Sequence, residues 1–125
     1  MPLELFHMMA GDRIGQGIAR EVYVYKPDPN YVIKFELASD DFQNVTEWLI
    51  WNSAPAAAQR WLAPCEHISP NGKILIQRRC ERLWEPPPKH PKWMDDMHLD
   101  NWGTLKGRPV AMDYGRTRAF GRAFR

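Results

Sequence analysis

The chain has 125 residues, 44% of them hydrophobic and 26% charged, the proportions of a single soluble globular domain and not of a disordered tail. Its 17 basic and 15 acidic residues leave a net charge of +2, too balanced to argue for nucleic acid, so no DNA partner is expected. No apolar run approaches the ~20 residues that cross a bilayer, and Met1-Pro2-Leu3-Glu4 lacks the basic and apolar regions of a signal peptide, which predicts no membrane association and a cytoplasmic setting.

After a short lead-in with Leu5, Phe6, Met8 and Met9, the run from Asp12 to Tyr25 predicts two strands around a glycine-bearing turn. In the second strand Val22 and Val24 alternate with Tyr23 and Tyr25. Pro27-Asp28-Pro29-Asn30 is a turn by composition. Tyr31 to Glu36 predicts a third strand, with Val32 and Lys34 on one face and Tyr31, Ile33 and Phe35 on the other. Ser39-Asp40-Asp41 predicts a helix start, with Ser39 as the cap and the acids at the positive end of the dipole. Phe42, Val45, Leu49 and Trp48 form the expected apolar stripe, and Glu47 lies near it, where a carboxylate wants a cation. Pro55 ends this helix or starts a short second one from Ala56 to Trp61.

Two further strands are expected over 62–68 and 73–79, joined at Ser69-Pro70-Asn71-Gly72. Glu85 to Pro91, with three consecutive prolines, predicts a stiff extended connector. Leu105 to Val110 predicts a tight hairpin bending at Gly107, and Arg116 to Arg125 is a basic, solvated tail. Cys65 and Cys80 make no disulfide framework, and with His67 and His90 they lack zinc spacing. Trp48, Trp51 and Trp61 are expected in the core; Trp84, Trp93 and Trp102 flank the proline connector and either cap apolar surface or meet a partner.

Several residue types suited to phosphate chemistry occur in one order. Gly15-x-Gly17 lets backbone N–H groups approach phosphate oxygens, Lys34 is a strand cation, and Glu47 is its candidate partner. Asp96, Asn101 and Asp113-Tyr114-Gly115 supply a candidate base and two candidate metal ligands around the hairpin. Taken singly, each of these is ordinary turn or surface chemistry; their order is the signal.

That order resembles the protein-kinase-like superfamily over nearly the whole chain. Gly15 to Val22 looks like the Gly-rich loop with Arg20 in place of the third glycine. Val32-Ile33-Lys34 resembles the strand-three lysine element, and Glu47 the glutamate of helix C. Asp96-x-His98-x-x-Asn101 is similar to the catalytic loop of aminoglycoside and choline kinases, and Asp113-Tyr114-Gly115 to the metal-binding motif. Asn44-x-x-Glu47 with Trp51 fits short kinase-like proteins of bacterial viruses, for which the setting would be the host cytoplasm.

The resemblance implies an α+β fold: an antiparallel five-stranded sheet with one main helix like a kinase N-lobe over residues 1–82, a connector over 83–92, a catalytic hairpin over 93–115 and the tail over 116–125. It implies ATP and Mg²⁺ as cofactors. Adenine would lie against Val22 and Val32 with backbone contacts near Arg78 to Cys80, and Gly15, Gly17 and Lys34 would meet the phosphates. Glu47 would orient Lys34, Asn101 and Asp113 would bind the metal, and Asp96 would be the base. His98 would either orient Asp96 or a metal-bound water, or make a structural hydrogen bond. Met94 and Asp95 stand where the family has His and Arg, and no helical substrate lobe follows. Two functions are therefore expected in competition. One is a phosphotransferase acting on a hydroxyl, on a protein or a small molecule; the other is a catalytically deficient kinase-like protein that binds a host factor. The uncovered side of the hairpin predicts either a homodimer through the region from Trp84 to Trp102 or a cover made by Phe120 and Phe124.

Overall fold

A computed structural model describes residues 6, 8–16, 20–37, 41–95 and 97–115. Gly17, Ser39, Asp40, Asp96 and the tail with Phe120 and Phe124 therefore lie outside the described residues. The chain is α+β. Strands β1 (Ala10–Gln16), β2 (Arg20–Tyr25) and β3 (Tyr31–Glu36) precede the main helix α1 (Gln43–Ser53) and the single turn α2 (Ala56–Gln59). Strands β4 (Cys65–Ile68) and β5 (Ile74–Arg78) complete an antiparallel five-stranded sheet in the order β1-β2-β3-β5-β4. A second sheet of three strands joins β6 (Glu81–Arg82), β7 (Trp102–Leu105) and β8 (Arg108–Ala111). Among the described residues no helix is long and apolar enough to cross a membrane.

Period-two alternation makes the five-stranded sheet two-faced. On one face Ile33 and Ile74 are buried under Phe6, whose ring meets Tyr23 edge-on at 5.4 Å and Phe35 at 4.7 Å. The other face carries Leu75 into a larger cluster with Ile50, Leu62, Met94, Trp102 and Tyr114. This cluster lies between α1, α2 and the second sheet, with Trp48, Trp51 and Trp61 packed at its margin. The second sheet is fastened to the chain after α2 by two backbone hydrogen bonds: Ala63 N–H donates to Ala111 O at 2.8 Å and Ala111 N–H to Trp61 O at 2.7 Å. The β7–β8 hairpin turns at Lys106 and Gly107, with φ of 53° and 78°. Two successive positive φ values match the right-handed strand twist, and glycine takes the second without steric cost.

Two expectations are corrected. The helix begins at Gln43, after Phe42 in a left-handed conformation, and not at Ser39. Its orphan N–H groups go to the buried Glu36 at the end of β3, which accepts from Gln43 at 2.9 Å and from Asn44 at 2.8 Å. A carboxylate brought in by the sheet thus does the work of a local cap. The helix is also rotated from its expected facing: Gln43, Asn44, Glu47 and Ile50 are inside, while Phe42 and Leu49 are 60% and 57% exposed. Both stripes have helical spacing, and the polar one is inside because a buried lysine and arginine on the sheet need its carboxylate. Of the tryptophans expected either to cap apolar surface or to meet a partner, Trp102 is buried in the main cluster and Trp84 is exposed, beneath the Arg82 guanidinium at 4.5 Å.

Candidate functional site

Lys34 sits in the middle of β3, opposite Val22 on one side and Leu75 on the other. Its side chain is directed beneath α1, where Glu47 has no solvent exposure at all. Lys34 Nζ donates to the two Glu47 oxygens at 3.0 and 3.1 Å and to the Met112 carbonyl at 2.7 Å. An ammonium has three N–H donors, so all three are engaged. The structure brings together the two residues that the sequence pairs, 13 positions apart on different elements.

A third residue completes the junction. Arg20, at the start of β2, is buried and forks onto the same carboxylate: Nη1 donates to Glu47 Oε2 at 2.7 Å and Nη2 to Oε1 at 3.1 Å. Nη1 also donates to Asn44 Oδ1 at 3.1 Å, and the Asn44 amide donates to the Lys34 carbonyl at 3.1 Å. Asn44 therefore ties α1 to both strands one turn before Glu47. Arg20 Nη2 further reaches Asp113 Oδ1 at 2.5 Å, although half of the Asp113 side chain is open to solvent.

The segment Met112–Gly115 is laid across this junction. Tyr114 N–H donates to Glu47 Oε1 at 3.0 Å, and its hydroxyl donates to Ala63 O at 2.8 Å beside Cys65 Sγ. Glycine at 115 is a packing requirement: a β-carbon there would stand 2.5 Å from the Gln43 carbonyl oxygen at the start of α1. Glu47 is thus the shared acceptor of a strand lysine, a strand arginine and the backbone after β8.

The charges explain one another. Burial opposes the charged form of Glu47, but Arg20 and Lys34 outweigh it and hold the carboxyl at about 2. Burial likewise opposes the Arg20 cation, and Glu47 and Asp113 more than compensate, raising its pKa above the ordinary arginine value. With its four charges Arg20, Lys34, Glu47 and Asp113 the junction is formally neutral, and among the described residues no buried side-chain polar atom lacks a partner. Burial also pushes the free thiols of Cys65 and Cys80 up to about 11, which leaves them protonated and weakly nucleophilic.

The remaining candidate residues are placed as follows. Asn101 precedes β7, and its carbonyl accepts from Met112 N–H at 2.8 Å, which sets it beside Asp113 at the open end of the hairpin. Gly15 pairs with Val22 across β1–β2, and Val22 and Val32 lie on the strands flanking and bearing Lys34. Arg78 N–H donates to Pro64 O and Arg79 N–H to Asn30 O, both at 2.8 Å. Those amides are committed, which narrows the expected base contacts to carbonyl oxygens and the Cys80 backbone. His98 is exposed, and the partnership expected with Asp96 falls outside the described residues.

The Mg²⁺ implied by the resemblance does not fit this arrangement. Asp113 offers an oxygen that already holds a guanidinium at 2.5 Å, and Glu47 has every lone pair used. No group of three His, Cys, Asp or Glu that could hold a metal occurs among the described residues. Sequence reasoning missed Arg20 as a site residue, noting it only where a glycine was expected. The signal was present: Arg20 lies two residues before Val22, on the strand face that points with Lys34 toward the helix. Glu36 carried the same signal, two residues after Lys34 on the same strand face and opposite Arg20; Tyr114 carried none, since its role depends on partners from distant segments. Compared with models of known protein families and with curated proteins, the chain finds no match.

Proposed function

We propose that the chain is a minimal kinase-like protein that binds a nucleoside triphosphate at Lys34 and transfers its terminal phosphoryl group to a hydroxyl. The observation that carries this reading is the buried Lys34–Glu47 pair joining β3 to α1, with Asp113-Tyr114-Gly115 docked on the same glutamate. A strand lysine held by a helix carboxylate is suited to phosphate oxygens because its ammonium is oriented before the ligand arrives. Here Lys34 must exchange the Met112 carbonyl for a phosphate oxygen, since its three donors are engaged. The strand order β1-β2-β3-β5-β4 with one helix above the Lys34 face supports the same reading. The acceptor is a protein hydroxyl in this proposal.

The direct test is incubation of the purified chain with ATP labelled at the terminal phosphate and cell extract, repeated with Lys34→Ala. Label transferred by the wild type and lost in the variant is expected; equal label in both removes the enzyme. Binding is read separately by the ATP-induced rise in melting temperature, which at ~100 times the dissociation constant corresponds to ~2.7 kcal/mol.

A second reading is favoured by one observation, the Arg20–Asp113 contact. A carboxylate held by an internal arginine suits a kinase-like binding protein that has lost catalysis. Capture of a host protein that survives Lys34→Ala but not Trp84→Ala, together with no label transfer, would favour this alternative.

A further inference from the structure

Glu47 is a buried carboxylate held by two buried cations, one more than its own charge requires. Arg20 forks onto its oxygens at 2.7 and 3.1 Å, and Lys34 donates to the same two oxygens at 3.0 and 3.1 Å. The cations differ in what else they hold. Arg20 gives its other bonds to side chains, Asn44 Oδ1 at 3.1 Å and Asp113 Oδ1 at 2.5 Å. Lys34 gives its third donor to a neutral backbone oxygen, that of Met112, at 2.7 Å. A guanidinium forked onto a carboxylate is fixed in orientation, whereas an ammonium on a four-carbon stem is a point charge that can turn. The Met112 carbonyl is therefore the acceptor that an anionic oxygen can replace, because a charged acceptor binds an ammonium more strongly than a neutral one.

We propose that Arg20 is a positioning residue for anion binding at Lys34: it is the permanent counter-ion of Glu47, and so leaves the Lys34 charge for an oxygen of the ligand. With Lys34 as the sole counter-ion, an incoming phosphate oxygen would share one cation with a buried carboxylate and be repelled by it. With Arg20 present, two cations and one carboxylate leave one positive charge beneath α1. Asp113 supplies the fourth charge of the junction from a side chain 48% exposed, where water weakens its reach. A guanidinium stays charged at any ordinary pH, so this neutralisation of Glu47 is not lost by titration. Arg20 acts on the ligand through Glu47 and Lys34, without touching it. The inference rests on reading Lys34 as the phosphate-holding residue of the proposed site.

ATP and inorganic pyrophosphate are the probes, each titrated in chelator into the full chain and followed by calorimetry. Wild type, Lys34→Met, Arg20→Gln and the double variant Arg20→Gln/Glu47→Gln are compared. Lys34→Met should bind neither probe. Arg20→Gln should bind at least about tenfold more weakly than wild type, although Lys34 is intact. The double variant should recover most of that loss, because removing one charge of each sign restores the single positive charge. A role confined to holding α1 predicts the reverse, since the double variant keeps less of the junction than Arg20→Gln does. Equal affinity in wild type and Arg20→Gln, no recovery in the double variant, or unimpaired binding by Lys34→Met overturns the proposal.

If circular dichroism shows Arg20→Gln unfolded, Arg20→Lys carries the test. It keeps a charge for Glu47 without the fork and should bind within about threefold of wild type; a loss of about tenfold there is equally fatal. On the wild type, pyrophosphate should move the Lys34 Nζ and Met112 carbonyl carbon resonances and leave the Arg20 guanidinium nitrogens in place. An Arg20 shift as large as that of Lys34 puts the anion on Arg20 itself and overturns the proposal. The two probes separate this inference from the nucleotide reading. ATP binding that is indifferent to Arg20 overturns the inference and leaves that reading. Pyrophosphate binding that depends on Arg20, without ATP binding, removes the nucleotide reading and leaves the inference. Binding of neither probe by the wild type removes both.

Discussion

The ionic junction and the aromatic cluster sit side by side beneath α1, and they hold the molecule together by opposite means. The cluster of Trp102, Tyr114, Met94 and Leu62 gains stability from area removed from water, which is non-directional and tolerant of shape. The junction of Arg20, Lys34, Asn44 and Glu47 gains little from burial itself, because each charge must first be desolvated. What it supplies is direction. One carboxylate accepts from two strands and from the Met112–Gly115 segment, so it sets the rotation of α1 and the seat of Asp113 together. Tyr114 belongs to both regions, with its ring in the cluster and its amide on Glu47. Apolar packing makes this fold compact, and the ion pairs decide which residues face the site.

The largest effects should come from removing one side of either region. Glu47→Ala leaves two buried cations without their acceptor and should cost about 3–5 kcal/mol in urea denaturation. Trp102→Ala should cost a similar ~3–5 kcal/mol through the cavity it opens. The conservative changes separate the two. Trp102→Phe should recover most of the loss, whereas Glu47→Asp should not, since a carboxylate one methylene shorter cannot reach both cations and the Tyr114 amide. Equal recovery in both would erase the distinction between directional and non-directional stabilisation.

Acid should distinguish the regions next. The Glu47 carboxyl is depressed from 4.5 to about 2. Its contribution is therefore complete above pH 4.5 and is lost as pH falls toward 2. The urea midpoint of wild type should fall across that window, and the slope should be shallower in Glu47→Gln, which has no proton to take up there. Parallel slopes in the two proteins would show that Glu47 is not the titrating group. Trp102→Phe should keep the wild-type slope.

A smaller change is expected at the seam. Gly115→Ala sets a β-carbon against the Gln43 carbonyl and should cost about 1–3 kcal/mol while pushing the Asp113 segment off α1. Loss of the Tyr114 amide's protection against hydrogen exchange would locate the effect; unchanged protection would place the strain elsewhere. The smallest effect belongs to the outward stripe: Leu49→Glu, at a position 57% exposed, should shift stability by no more than about 0.5 kcal/mol. A large loss would mean that the apolar stripe, and not the polar one, is the helix face that matters.

Local chemistry was legible in the sequence wherever near neighbours settle it. The alternation of Val32, Ile33 and Lys34 placed Lys34 on a sheet face, and Lys106-Gly107 marked the hairpin, because strand pleat and turn dihedrals are decided within a few residues. The pairing of Lys34 with Glu47 followed from a charged residue on each of two adjacent elements. The facing of α1 did not. Phe42, Val45 and Leu49 compete at helical spacing with Asn44, Glu47 and Ile50, and only the buried cations of β2 and β3 choose between them. The helix start was equally hidden, since its cap is Glu36, placed by the sheet and not by the residues that adjoin the helix. Arg20 shows the limit most clearly. Its strand and face follow from the local pattern, but its partners lie 27 and 93 positions away, and only the closed tertiary structure brings Glu47 and Asp113 within reach of one guanidinium.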